Sequence, residues 1–109
     1  MGNRTTTAQR TSGMDSLEAK AAQAASLLKL LANENRLLIL CQLAQVKEMS
    51  VNDLVEAVGI SQSALSQHLA KMREDGLLAT RREAQTVYYR MADRNAGRLL
   101  KLLKSIYCP

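Results

Sequence analysis

From Leu17 onward the apolar residues recur with a helical period. Leu17, Ala21, Ala24, Leu28 and Leu31 share one face, and Leu27 and Leu30 widen it. Asp15 or Ser16 stands just before the pattern and suits a helix N-cap. A second segment opens at Asn33. Its LLILCQLA is apolar nearly all round, the pattern of a buried central helix, with Cys41 on the face of Leu37 and Ala44. A third starts at the cap-like Ser50-Val51-Asn52-Asp53, turns Leu54, Ala57 and Val58 inward and stops at Gly59. Ser61 then caps SQSALSQHLAKMRED, residues 61–75, in which Leu65, Leu69 and Met72 form a stripe at i, i+4 and i+7. Past Gly76 the period changes to two. LLATRREAQTVYYRM alternates about Glu83-Ala84-Gln85 and predicts a two-stranded hairpin over residues 78–91, with Val87 and Tyr89 on one side and Tyr88 on the other. Asp93 suits the cap of a last helix ending near Tyr107. There Leu99, Leu102, Leu103 and Ile106 form a stripe, Leu100 and Tyr107 widen it, and Lys101, Lys104 and Ser105 stay outside.

This pattern predicts a mainly α fold with a small β-hairpin, in the order helix–helix–helix–helix–hairpin–helix. The third and fourth helices, joined across a Gly-containing turn, make a helix-turn-helix, and the hairpin after them makes a wing. Residues 14–109 form the one domain expected of a chain this short. Residues 1–13, MGNRTTTAQRTSG, are polar, Thr-rich and basic and read as a disordered tail. The first and last helices carry more apolar surface than one packing face needs, so a homodimer through these two helices is expected.

Composition sharpens the reading. The chain has 109 residues, eighteen of them Leu, with no Phe or Trp, so the core is aliphatic. The net charge of +5 favours an anionic partner. No apolar run approaches the ~18 residues of a membrane span and no signal peptide is visible, so a cytoplasmic protein with no membrane role is expected. DNA suits the pattern of the fourth helix. Gln62, Ser63, Ser66, Gln67 and Lys71 lie outside its apolar stripe. Gln pairs bidentately with adenine, Ser reaches bases or phosphates, and Ser61 opens the helix where amide N–H groups favour phosphate. An ordinary solvated face would carry the same residue types. His68 borders this face and reads either as a DNA contact or as a half-buried hydrogen-bonding residue. In the hairpin, Arg81 and Arg82 suit phosphate or minor-groove contact, with Gln85 and Thr86 at the tip; arginines that merely discourage edge pairing are the alternative. Arg90 lies far from the turn.

Two cysteines, Cys41 and Cys108, are too few for a disulfide framework and fit a reducing compartment. Cys41 reads by itself as a small buried hydrophobe. Cys108, one residue from the end of the chain, is hard to explain by packing.

The element order and the segments LANENRLLIL and SQSALSQHLAKMREDGL resemble the ArsR/SmtB family of winged helix-turn-helix repressors over roughly residues 15–108. Cys41, the terminal YCP and EAQTVYY are similar to the thiol-based subgroup of HlyU, YgaV, BigR and SqrR, which sense reactive sulfur or oxidants. The resemblance implies that Cys41 and Cys108 approach each other within a subunit, and that linking them by a disulfide or polysulfide releases the protein from an inverted-repeat operator. It implies no cofactor and no catalysis. The metal-sensing branches are not matched. The third helix has SVNDLVEA where arsenic and lead sensors have Cys-x-Cys, and the last helix lacks the His and acidic ligands of zinc sensors. Two thiols alone make a poor metal site. A redox enzyme would need a Cys-x-x-Cys in a βαβ setting, which is absent. A constitutive DNA-binding protein with inert cysteines, or an activator that displaces another DNA-bound protein, remains open.

Overall fold

The computed structural model describes residues 12–108, so the tail expected before Ser12 lies outside the described residues. The elements are α1 (Ser12–Leu31), α2 (Glu34–Gln45), β1 (Met49–Ser50), α3 (Val51–Val58), α4 (Gln62–Glu74), β2 (Leu78–Glu83), β3 (Thr86–Met91) and α5 (Arg94–Tyr107). Among the described residues, 12–31 form one compact unit and 32–108 a second.

α1 begins ahead of the expected Asp15 or Ser16, and Ser12 and Gly13, assigned above to the tail, are helical. Its Ala-rich composition sustains a helix at little entropic cost. Its apolar stripe is open at Leu17 and Leu28, 61% and 55% exposed, half-buried at Leu27 and Leu30 and buried at Leu31.

The second unit is a helical core closed by a small sheet. Each helix starts on a side-chain cap that satisfies an otherwise orphaned amide. Asn33 Oδ1 accepts from Arg36 N at 3.0 Å, Ser50 Oγ from Asp53 N at 3.1 Å, Ser61 Oγ from Ala64 N at 3.1 Å and Asp93 Oδ1 from Ala96 N at 2.9 Å. α3 ends at Gly59, whose φ of +81° is left-handed and whose N–H reaches Val55 O. That conformation is open to glycine without the clash a Cβ brings, and it turns the chain into α4.

The core is aliphatic, as composition required. Ile39, Leu40 and Leu43 of α2, Leu54 of α3, Leu65, Leu69 and Met72 of α4, Leu77, Leu78 and, from α5, Ala96 and Leu100 are all buried. α2 touches α3, α5 and β3, which makes it central. Three expectations about faces are corrected. α2 is not buried all round: Leu37, Cys41 and Ala44 are half-buried and Leu38 is exposed, because the core takes the Ile39–Leu40–Leu43 side. On α5 the core takes Leu100, with Leu99 and Leu103 half-buried, and leaves Leu102, Ile106 and Tyr107 exposed. Ala57 of α3 is exposed rather than turned inward.

The hairpin is present and gains a strand. The sheet order is β1-β3-β2, with Met49 opposite Tyr89 and Ser50 opposite Tyr88. Two residues are too few for an alternating pattern, so β1 exists only because β3 offers it an edge. β2 and β3 pair from Leu78↔Met91 to Glu83↔Thr86. The turn between them places Ala84 at φ +56°, a left-handed conformation that costs a non-glycine residue roughly 1–2 kcal/mol.

Candidate nucleic-acid interface and thiol pair

The α3–Gly59–α4 segment presents the exposed side of α4. Gln62, Ser63, Ser66, Gln67 and Lys71 are all exposed, opposite the buried Leu65, Leu69 and Met72. Ser61 is exposed too, but its hydroxyl already caps the helix and lies 3.4 Å from Ser63 Oγ. His68 is half-buried at the edge of this face. Lys71 has weak exposed contacts with Glu74 at 4.0 Å and Asp75 at 3.7 Å, which water screens, so its charge stays available. Arg73 is also exposed on α4, a cation that the sequence reading did not single out.

The wing carries Arg82, Gln85 and Thr86 exposed at and beside its tip. Strand alternation sends Arg81 and Arg82 to opposite faces. Arg82 forms no hydrogen bond or ion pair among the described residues. Arg81 is engaged instead. Its guanidinium donates from Nη2 to Glu48 Oε1 at 2.6 Å, from Nε to Glu48 Oε2 at 3.2 Å and from Nη1 to Glu83 Oε1 at 2.9 Å. It also lies 4.6 Å over the ring of Tyr88, its cross-strand partner. These hydrogen bonds hold the Glu48 carboxyl below the usual carboxylate range. Glu48 was not anticipated, since 33 residues separate it from Arg81 and no local spacing signals the pair.

The two thiols belong to α2 and to the end of α5, helices that contact each other. Cys108 is exposed and caps the end of α5, with its N–H donating to Lys104 O at 2.7 Å. Cys41 is half-buried on α2, and both cysteines are free. Burial pushes the Cys41 thiol up, the neighbouring Cys108 pushes the same way, and the Lys104 ammonium opposes both. The two sulfurs and Lys104 therefore lie within electrostatic reach of one another. Lys104 Nζ donates to Gln45 Oε1 at 3.0 Å, and Gln45 Nε2 donates to the carbonyl of Cys41 at 3.0 Å. A cleft lined by Ala44, Gln45, Lys101, Lys104, Ser105 and Cys108 opens here. Gln45 and Lys104 were missed as neighbours of the thiols. Their signal was present, since Gln45 stands four residues past Cys41 on α2 and Lys104 four residues before Cys108, the C-cap of α5. Among the described residues no three His, Cys, Asp or Glu side chains converge as a metal site would require, and no helix is long and apolar enough to cross a membrane.

A helix-turn-helix followed by a wing is the architecture of many DNA-binding proteins, and comparison with known proteins narrows it. Residues 33–80 match the family model described as bacterial regulatory protein, arsR family. The transcriptional activator HlyU of Vibrio cholerae is 47% identical over 95 residues, 87% of each chain. The chain belongs to the ArsR family. Its fold agrees with solved ArsR-type structures. Reduced HlyU from Vibrio cholerae superposes with a TM-score of 0.80 at 48% identity, covering 86% of this chain and 98% of that one. The transcriptional repressor BigR from Xylella fastidiosa gives a TM-score of 0.80 at 37% identity, covering 87% and 96%. As a member of the ArsR family the protein is a DNA-binding transcriptional regulator and not an enzyme. The relatives include both an activator and a repressor.

Proposed function

We propose that this ArsR-family regulator acts as a cytoplasmic homodimeric repressor that binds an inverted-repeat operator when reduced. It leaves the operator when Cys41 and Cys108 become linked by a disulfide or polysulfide on exposure to reactive sulfur or oxidants. One observation carries the reading: the chain's two thiols sit on two contacting helices, one half-buried on α2 and one exposed at the end of α5, within electrostatic reach. Cys108 is the first to react, as the exposed thiol. Its thiolate attacks the near sulfur of an oxidised sulfur donor and expels a thiolate. The Cys41 thiolate then attacks Cys108 Sγ, closing the bridge and expelling the remaining group, so the donor leaves reduced by two electrons. A disulfide requires Cα atoms about 4.4–6.8 Å apart; a polysulfide spans more and strains the helices less. Either bridge ties the end of α5 to α2 and so selects one arrangement of the helices that hold α4. That a related structure is described as reduced HlyU is in keeping with a redox state that matters in the family.

On the DNA side, Gln62, Ser63, Ser66 and Gln67 read base edges, with Ser61 and His68 beside them. Lys71 and Arg82 meet phosphates, and Gln85 and Thr86 approach the backbone at the wing tip. The alternative is a constitutive regulator or activator with inert cysteines, for which the activator name of HlyU speaks.

The test is DNA release. An operator duplex is selected from a random pool by the reduced protein, and affinity is compared before and after treatment with glutathione persulfide. Wild-type protein should lose about 5–150-fold in affinity, the usual range of allosteric coupling. Cys41→Ser and Cys108→Ser should bind normally when reduced and ignore the persulfide. Release of either variant by persulfide would end the paired-thiol mechanism.

A further inference from the structure

The geometry points to Arg81 as a positioning residue: it holds the wing against the α2–β1 connection through its fork on Glu48, while Arg82 on the opposite strand face is the wing cation that meets the DNA backbone. The inference rests on DNA binding, which the family establishes, and is independent of the thiol switch.

Arg81 makes more bonds than any other wing side chain. Two of its nitrogens hold the two oxygens of Glu48, the parallel fork that a planar guanidinium matches and an ammonium does not. A third nitrogen holds Glu83, at the end of β2, and the guanidinium plane rests on Tyr88 of β3. One side chain therefore joins both wing strands to Glu48, which directly precedes β1. The base of the hairpin packs on the helices, but its outer half, exposed from Arg81 to Thr86, is freer to rock about that base. β1 contributes only two residues of pairing to β3, so a side-chain tether supplies a restraint that the short ladder does not. Two carboxylates on Arg81 also cancel its charge locally. To reach a phosphate it would have to leave both and strand two acids beside the DNA. Arg82 has no such commitment. Its charge is unpaired, it is exposed, and it stands one residue nearer the tip.

The two roles predict opposite signs for one substitution. Removing the Glu48 charge should tighten DNA binding if Arg81 is a phosphate contact, because an acid near DNA is lost and the guanidinium is released. If Arg81 is a tether, the same change should weaken binding, because the wing loses its anchor. Affinities of reduced wild type, Glu48→Gln, Arg81→Ala, Arg81→Lys, Arg82→Ala and Glu48→Gln/Arg81→Ala for the selected operator duplex are measured across a salt series. Glu48→Gln and Arg81→Ala should each weaken binding roughly 2- to 30-fold, the range for residues that act through others. The double variant should be no worse than the weaker single, since both remove one tether. Arg81→Lys should fail to restore binding despite keeping the charge. The slope of log affinity on log salt should change little in these variants, whereas Arg82→Ala should flatten it by about 0.9 per bound subunit. The assignment falls if Glu48→Gln tightens binding or leaves it unchanged, or if Arg81→Ala flattens the slope as Arg82→Ala should.

Discussion

At the residue scale the chemistry turns on Cys41. A thiol reacts as its thiolate, so a thiol pushed up by burial is slow at neutral pH and gains about tenfold in thiolate for each unit by which the pH rises toward its midpoint. Burial is the main cause here, Cys108 adds to it and the Lys104 ammonium works against it. The signs of three substitutions follow. In Cys108→Ser the alkylation midpoint of Cys41 should move down, toward that of an ordinary cysteine, because one raising neighbour is gone. In Lys104→Met it should move up, because the lowering charge is gone. In Gln45→Ala it should also move up, because Lys104 Nζ loses the Gln45 Oε1 acceptor, 3.0 Å away, that holds it near the thiols. Iodoacetamide alkylation across a pH series, with Cys41 followed by mass spectrometry, measures all three. A midpoint unmoved by Lys104→Met would remove the lysine from the thiol site.

At the scale of elements, the proposed work on DNA is divided between α4 and the wing. The buried Leu65–Leu69–Met72 stripe fixes which side of α4 faces out, and the Ser61 and Gly59 signals fix where it begins. The residues proposed to read bases are therefore set by helix phase, and Gln62 and Gln67 are the longest neutral side chains on the open face. Gln62→Ala or Gln67→Ala should each cost about 1–3 kcal/mol at the selected operator and far less on random duplex. Competition binding with the two duplexes separates the effects. Equal loss on both would mean that these glutamines touch only the backbone. At the wing, Ala84 holds a left-handed φ that glycine would accept more readily, and no glycine in the sequence marks the turn.

At the scale of the whole molecule, apolar surface is left over. Leu102, Ile106 and Tyr107 of α5 are 55%, 57% and 77% exposed, and α1 leaves Leu17 and Leu28 open. An isolated chain would carry these side chains into water at about 25 cal/mol for each Å² of apolar surface. A two-fold dimer that covers them also places two α4 helices on one face of a palindromic site. Sedimentation at micromolar concentration should give the mass of two chains, and Ile106→Lys should shift the population toward monomer. A wild-type monomer under those conditions would leave the apolar faces of α1 and α5 unexplained. Because Cys108 follows α5 directly, the thiol proposed to react first adjoins the surface proposed to pair the subunits.

Much of this protein was legible in the sequence. Helix number, the caps of α2 to α5, the Gly59 turn, the α4 stripe and the hairpin all follow from local rules: a cap bonds within three residues, and helical and strand periods show within one element. The candidate reading face on α4 came from the same source, since it is the complement of the stripe. Tertiary structure decided what depends on distant segments. It chose the Ile39–Leu40–Leu43 side of α2 for the core, because a helix apolar nearly all round does not announce which side its neighbours will cover. It added β1, which has no pattern of its own. It brought Glu48 to Arg81 across 33 residues and so paired one of two adjacent exposed arginines with carboxylates while leaving the other free. It set Lys104 and Gln45 beside the thiols across 59 residues. A sequence states which charges and thiols a chain owns; the packing of α2 against α5 and of β1 against β3 decides which of them meet.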